Sequence, residues 1–105
     1  MAVVYKNITG GSPPTTTTLI AKSGGISGGI NSITITNHDL TDSCRVTLYL
    51  DDGAGSPTIY TLLETTIPPL ATLLLDDKGM IRFDSRAYSL KIDASTTADL
   101  TVIIS

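Results

Sequence analysis

The sequence predicts an all-β domain, an eight- to nine-stranded antiparallel β-sandwich with jelly-roll or Greek-key connections. Three observations predict it. β-branched residues are abundant, with 17 Thr among 105 residues, and they suit strands better than helices. Short runs of alternating apolar and polar side chains recur, separated by Gly, Pro, Asn and Asp. No segment repeats apolar residues at helical spacing between capping residues. Eight short strands in a chain of this length suit a jelly roll or a related Greek key. Residues 1–105 read as one such domain, with 1–14 able to serve as an N-terminal strand or arm.

The elements follow in order. Ala2–Ile8 is a first strand, ended by Gly10-Gly11-Ser12-Pro13-Pro14. Thr15–Lys22 is a second, and a glycine-rich link over 24–29 leads to Ile30–Asn37, where Ile33 and Ile35 alternate with Thr. Asn37-His38-Asp39 starts a turn. Cys44–Asp51 places Val46, Leu48 and Leu50 on one face and Arg45, Thr47 and Tyr49 on the other. Asp51-Asp52-Gly53 is a hairpin signal, and Pro57–Glu64 returns as the partner strand. Leu70–Leu75 and a short Gly79–Asp84 come next, then Tyr88–Asp93 and Leu100–Ile104, both cleanly alternating. Leu48, Leu50, Leu90, Ile92, Leu100 and Val102 are the expected inter-sheet core.

Pro68-Pro69 interrupts this pattern. Proline cannot donate to a ladder, so the pair belongs at an edge, a bulge or a crossover between sheets. The crossover is the expected role, delivering Leu70–Leu75 to the second sheet. Leu73 and Leu75 then face the core, and Leu74 points outward.

Composition narrows the function. Net charge is −3 and the seven basic residues are scattered, whereas nucleic-acid binding needs clustered Lys and Arg. No nucleic acid is expected as a partner. No run approaches the ~20 apolar residues of a membrane helix, and the N-terminus lacks the pattern of a signal peptide. No membrane partner is expected. Cys44 is alone, so neither an intramolecular disulfide nor a thiolate zinc site can form within the chain.

No catalytic set stands out. His38 is the single histidine and sits in a turn without a nucleophile or metal-ligand spacing around it. Asp51-Asp52 and Asp76-Asp77 offer carboxylates, but neither matches a calcium-loop spacing, and Asp before Gly suits a hairpin for backbone reasons. Whether either loop holds a cation stays open. The paired glycines lack a following helix to make them a phosphate cradle, and Cys44 reads as a small apolar side chain. Tyr5, Tyr49, Tyr60, Phe83 and Tyr88 fall mostly within strands, where packing explains them. Catalytic residues, cofactors and metals are all expected to be none.

Four stretches together carry a resemblance: "CRVTLYLDDG", "IYTLLETTIPPLATLLLD", "IRFDSRAYSLKIDAS" and "ADLTVIIS". They resemble small β-sandwich virion proteins of tailed phages, of the marine and cyanobacterial type. The similarity covers roughly residues 44–105, and "VVYKNIT" looks similar too. Pro69 departs from the pattern, where a small residue is more usual. The resemblance implies a virion location and a non-enzymatic structural role, first as a capsid decoration (cement) protein bound to the major capsid protein. The alternative it leaves is a tail, fibre or surface module that recognises a host receptor or glycan.

Assembly is the last expectation. Leu74 and Ile103 point away from the core faces, and Val3 and Val4 cannot both turn inward. Exposed apolar patches on small soluble domains usually mark contact surfaces. Val3, Leu74 and Ile103 are therefore the candidate interface residues of a homo-oligomer. The resemblance, with its icosahedral shell, points to a trimer.

Overall fold

A computed structural model describes residues 4–10, 15–22, 30, 32–56, 58–75, 86–95 and 97–105. The expected Gly79–Asp84 strand, the Asp76-Asp77 pair and Val3 lie outside them. The described residues form eight strands and no helix: β1 (Val4–Thr9), β2 (Thr15–Ile20), β3 (Ile33–Asn37), β4 (Cys44–Asp51), β5 (Ile59–Ile67), β6 (Thr72–Leu75), β7 (Ser89–Ala94) and β8 (Asp99–Ile104). One sheet has the order β1-β8-β3-β6 and the other β2-β7-β4-β5. All described pairings are antiparallel. Only β4 and β5 are both consecutive and paired; every other connection crosses between the sheets. That connectivity is a jelly roll.

Alternation decides which side chains meet between the sheets. Ile33 and Ile35 from β3, Val46 and Leu48 from β4, Leu90 and Ile92 from β7, and Leu100, Val102 and Ile104 from β8 are essentially inaccessible. The six expected core residues are all buried, and Leu73 and Leu75 pack partly against them. Two irregularities adjust the pattern. In β2 the register shifts between Thr18 and Ile20, so Leu19 and Ile20 are both buried although adjacent. In β5, Leu62 is the extra residue of a bulge opposite Leu48 and Tyr49.

β2 ends at Ile20 rather than Lys22, β3 begins at Ile33 rather than Ile30, and other ends move by one or two residues; two further differences shape the crossover. β5 does not stop at Glu64 but continues to Ile67, with Thr66 opposite Arg45 and Ile67 opposite Cys44. Thr65, Thr66 and Ile67 are all strand-favouring, and the proline pair ends them. β6 begins at Thr72, not Leu70, because Leu70 belongs to a turn. Ala71 N donates to Pro68 O at 3.2 Å, with Pro69 second and Leu70 third at φ 58°. A positive φ at the third position after proline is the type II pattern, which favours glycine. A leucine there costs about 1–2 kcal/mol. Pro68-Pro69 does sit at the crossover between sheets, as expected.

One buried side chain holds this corner. Asn37 is fully inaccessible. Its Nδ2 lies within hydrogen-bond distance of Asp42 O at 3.0 Å, Ile67 O at 3.1 Å and Pro68 O at 3.2 Å. Its Oδ1 accepts from Asp39 N at 3.0 Å, and its backbone N donates to Ala71 O at 2.9 Å. The two amide hydrogens are shared among three carbonyls. The loop over 38–43 and the Pro68–Ala71 turn thus hang from a single residue.

Candidate functional site

The two outer faces of the sandwich are built differently. On the β2-β7-β4-β5 face the register aligns Thr16, Asp93, Thr47 and Glu64 in one cross-strand row, and Thr18, Lys91, Tyr49 and Thr61 in the next. Several of these groups bond to one another. Thr16 Oγ1 donates to Asp93 Oδ1 at 2.6 Å, and Tyr49 donates its hydroxyl proton to the same oxygen at 3.0 Å. Lys91 pairs with Asp51 at 3.1 Å, and Arg45 pairs with Glu64. Burial, then the neighbouring Asp93, pushes the Tyr49 hydroxyl up to about 12. A shallow depression of about 180 Å³ lies here, lined by Thr47, Tyr49, Ile59, Thr61 and Asp93. Its phenol stays protonated at neutral pH and spends its proton on Asp93, so it is a structural clasp rather than an acid or base poised for a substrate.

The β1-β8-β3-β6 face is different. Register places Tyr5 opposite Ile103, Ile103 opposite Thr34, and Thr34 opposite Leu74. One row thus crosses all four strands, spanning three strand spacings or roughly 14 Å. Tyr5 is 69% exposed and Leu74 56% exposed, and Ile103 and Thr34 are half-buried between them. The adjacent row, Asn7-Thr101-Thr36-Thr72, is polar and internally bonded. Thr101 donates to Asn7 Oδ1 at 2.9 Å, the Thr36 and Thr72 hydroxyls bond at 3.0 Å, and His38 Nε2 reaches Thr101 at 2.8 Å. Because Thr101 gives its proton to Asn7, His38 serves it as an Nε2–H donor. An apolar stripe therefore borders a polar one.

Of the three expected interface residues, the structure brings Leu74 and Ile103 into this one row, with Thr34 between them; Val3 lies outside the described residues. Tyr5 completes the row, whereas its strand position alone suggests packing. The signal was its alternation with Val4, which puts it on the outer face. Tyr60, also expected to pack, is 53% exposed and meets Tyr88 edge-to-face with centroids 5.7 Å apart.

The remaining chemistry-bearing residues have structural duties. Asp51 Oδ1 accepts from Gly53 N at 2.7 Å, and Asp52 Oδ1 accepts from Ala54 N at 3.0 Å and Thr58 N at 3.1 Å. These backbone donors hold both carboxyls below the usual carboxylate range, with Lys91 adding to the effect at Asp51. One oxygen of each carboxyl is engaged by the hairpin, where Gly53 takes φ 77°, and the other Asp51 oxygen by Lys91. Cys44 is buried, with Ser95 Oγ donating to its sulfur at 3.5 Å. Among the described residues no three His, Cys, Asp or Glu side chains cluster as a metal site. Compared with protein-family models, curated proteins and solved structures, the chain matches none.

Proposed function

We propose that the chain is a non-enzymatic structural protein of a tailed-phage virion, a capsid decoration protein that binds and stabilises the shell as a homotrimer. The observation that carries this reading is the Tyr5-Ile103-Thr34-Leu74 row. A sheet face that completes its polar bonds and leaves one apolar stripe uncovered is suited to a protein neighbour. A second copy covers the stripe and shields the neighbouring sheet edges. The sequence resemblance supports the virion setting, and the trimer follows from matching threefold positions of an icosahedral shell. Two measurements test it. Light scattering on the isolated protein is expected to give an oligomer, and a stable 11.0 kDa monomer at high micromolar concentration would exclude the self-association. Mixing the protein with undecorated shells of the same virus is expected to give saturable, high-copy binding.

The exposed ring of Tyr60 favours a second reading, a tail or surface module that stacks an aromatic on a host glycan. Binding on a glycan array that is lost in Tyr60→Ala, without shell binding, would select it.

A further inference from the structure

We infer that Leu40 and Leu70 form a rigid two-pronged apolar knob that seats in a depression on the shell protein, rimmed by lysine or arginine. The inference rests on the decoration reading and assigns its shell-facing end. Leu40 is 77% exposed and Leu70 65% exposed, and they stand on two loops at the same end of the sandwich. Leu70 is the one described non-glycine residue with positive φ. A large side chain held in that backbone region while mostly in solvent gains little for the fold, and such outliers concentrate where a contact is made.

The loops are braced before any partner arrives. Asn37 bonds the Leu40 loop through Asp42 O and Asp39 N, and the Leu70 turn through Ile67 O, Pro68 O and Ala71 O. Asp39 Oδ1 further accepts from Thr41 N and Asp42 N at 2.9 Å. Thr97 ties in the β7–β8 turn by donating to Ser43 O at 2.7 Å. Preorganisation of this kind removes much of the ordering cost of binding.

Charge selects the occupant. Asp39 and Asp42 flank Leu40, and Asp99 N-terminally opens β8 at the same end, where its carbonyl accepts from His38 N. The backbone N–H groups of Thr41 and Asp42 hold the Asp39 carboxyl below its usual range, so it stays ionised. Arg45, at the base of the loop, is engaged by Glu64. Two copies meeting knob to knob would bring these carboxylates together, which disfavours a second copy. A basic rim complements them.

The test adds parent and variants to undecorated shells at several salt concentrations. Leu40→Ser with Leu70→Gly is expected to weaken shell binding at least about tenfold, while Leu62→Ser, an exposed leucine elsewhere, leaves it unchanged. Leu70→Gly alone is expected to melt higher than the parent, so the loss cannot be unfolding. Parent affinity is expected to fall as salt rises. The knob is overturned if the double variant binds within about twofold of the parent, if Leu70→Gly melts lower, or if binding tightens with salt. It is overturned as a shell contact if light scattering shows the double variant dissociating the oligomer. Failure of the parent itself to bind shells overturns the decoration reading instead.

Discussion

The outer faces of the two sheets share a backbone plan and differ in how they end. On the β2-β7-β4-β5 face, Thr16, Asp93, Tyr49, Lys91, Asp51, Arg45 and Glu64 bond to one another. On the β1-β8-β3-β6 face, the Asn7-to-Thr72 row is bonded and the row beside it, Tyr5 to Leu74, is not. The difference teaches where function can reside in a protein without a catalytic cluster among its described residues. The bonded part of the first face gains little from a neighbour, although Ile59 on its edge strand is 50% exposed, whereas the uncovered apolar stripe of the second gains along its whole length by being removed from water.

The comparison can be broken or sharpened by substitution. The core behind both faces should respond alike: Leu90→Ala and Ile35→Ala are each expected to cost about 2–5 kcal/mol in denaturant unfolding. A near-zero effect at one would mean that its sheet is not packed as described. Asn37→Ala leaves several buried backbone groups without their partner, and is expected to cost roughly 2–4 kcal/mol, with hydrogen exchange rising at Ala71 and Asp39. The faces should then diverge. Leu74→Ser with Ile103→Thr is expected to dissociate the proposed oligomer while changing stability of the monomer little. Tyr49→Phe is expected to cost about 1 kcal/mol and leave association unchanged. The smallest effect is expected at Arg45→Ala, since both partners of that ion pair are well exposed and such pairs contribute ~0–1 kcal/mol.

Titration probes the hydrogen-bonded groups further. The Tyr49 phenol keeps its proton in the folded state up to about 12, while the unfolded chain releases it near the ordinary value of 10.0. Its contribution is therefore complete below the unfolded value and is lost as pH rises through the folded one. Alkaline unfolding monitored by circular dichroism should show this limb, and Tyr49→Phe should flatten it. Asp39, Asp51 and Asp52 have lowered values, so their contribution is complete above the ordinary carboxylate range and is lost as pH falls through their folded values. Asp51→Asn should flatten the acid limb.

Much of the fold was legible because alternation is a local property. Cys44–Asp51 needed only its own side chains to be bounded correctly, and Leu74 needed only the period of two to be placed outward. The Thr65-Thr66-Ile67 extension was missed because two adjacent threonines break the apolar-polar alternation and leave only strand propensity as a signal. The corner built on Asn37 was illegible for another reason. Its acceptors Ile67 and Pro68 lie 30 and 31 residues away, and a turn asparagine looks the same whether it is exposed or buried. The Tyr5-to-Leu74 row was half legible: the outward faces of Leu74 and Ile103 could be read, but their alignment through Thr34 and on to Tyr5 depends on strand order, which no single strand encodes.

The pairing of β1 with β8 also bears on how the chain is made. Val4 meets Ile104 and Ile8 meets Leu100, so β1 leaves the ribosome long before the ladder partner that the same chain supplies later. At about 5–20 residues per second, β1 waits on the order of 5–20 s with Val4 and Ile8 uncovered. The β4–β5 hairpin, by contrast, can close as soon as it emerges. Nascent chains stalled before Asp99 should therefore be cut readily by protease in β1 while the hairpin resists, and equal resistance of the two would show that β1 finds shelter earlier. Long-range closure of this kind makes folding slow, and a chaperone that holds the first strand during that interval would raise the yield of folded protein without touching its final stability.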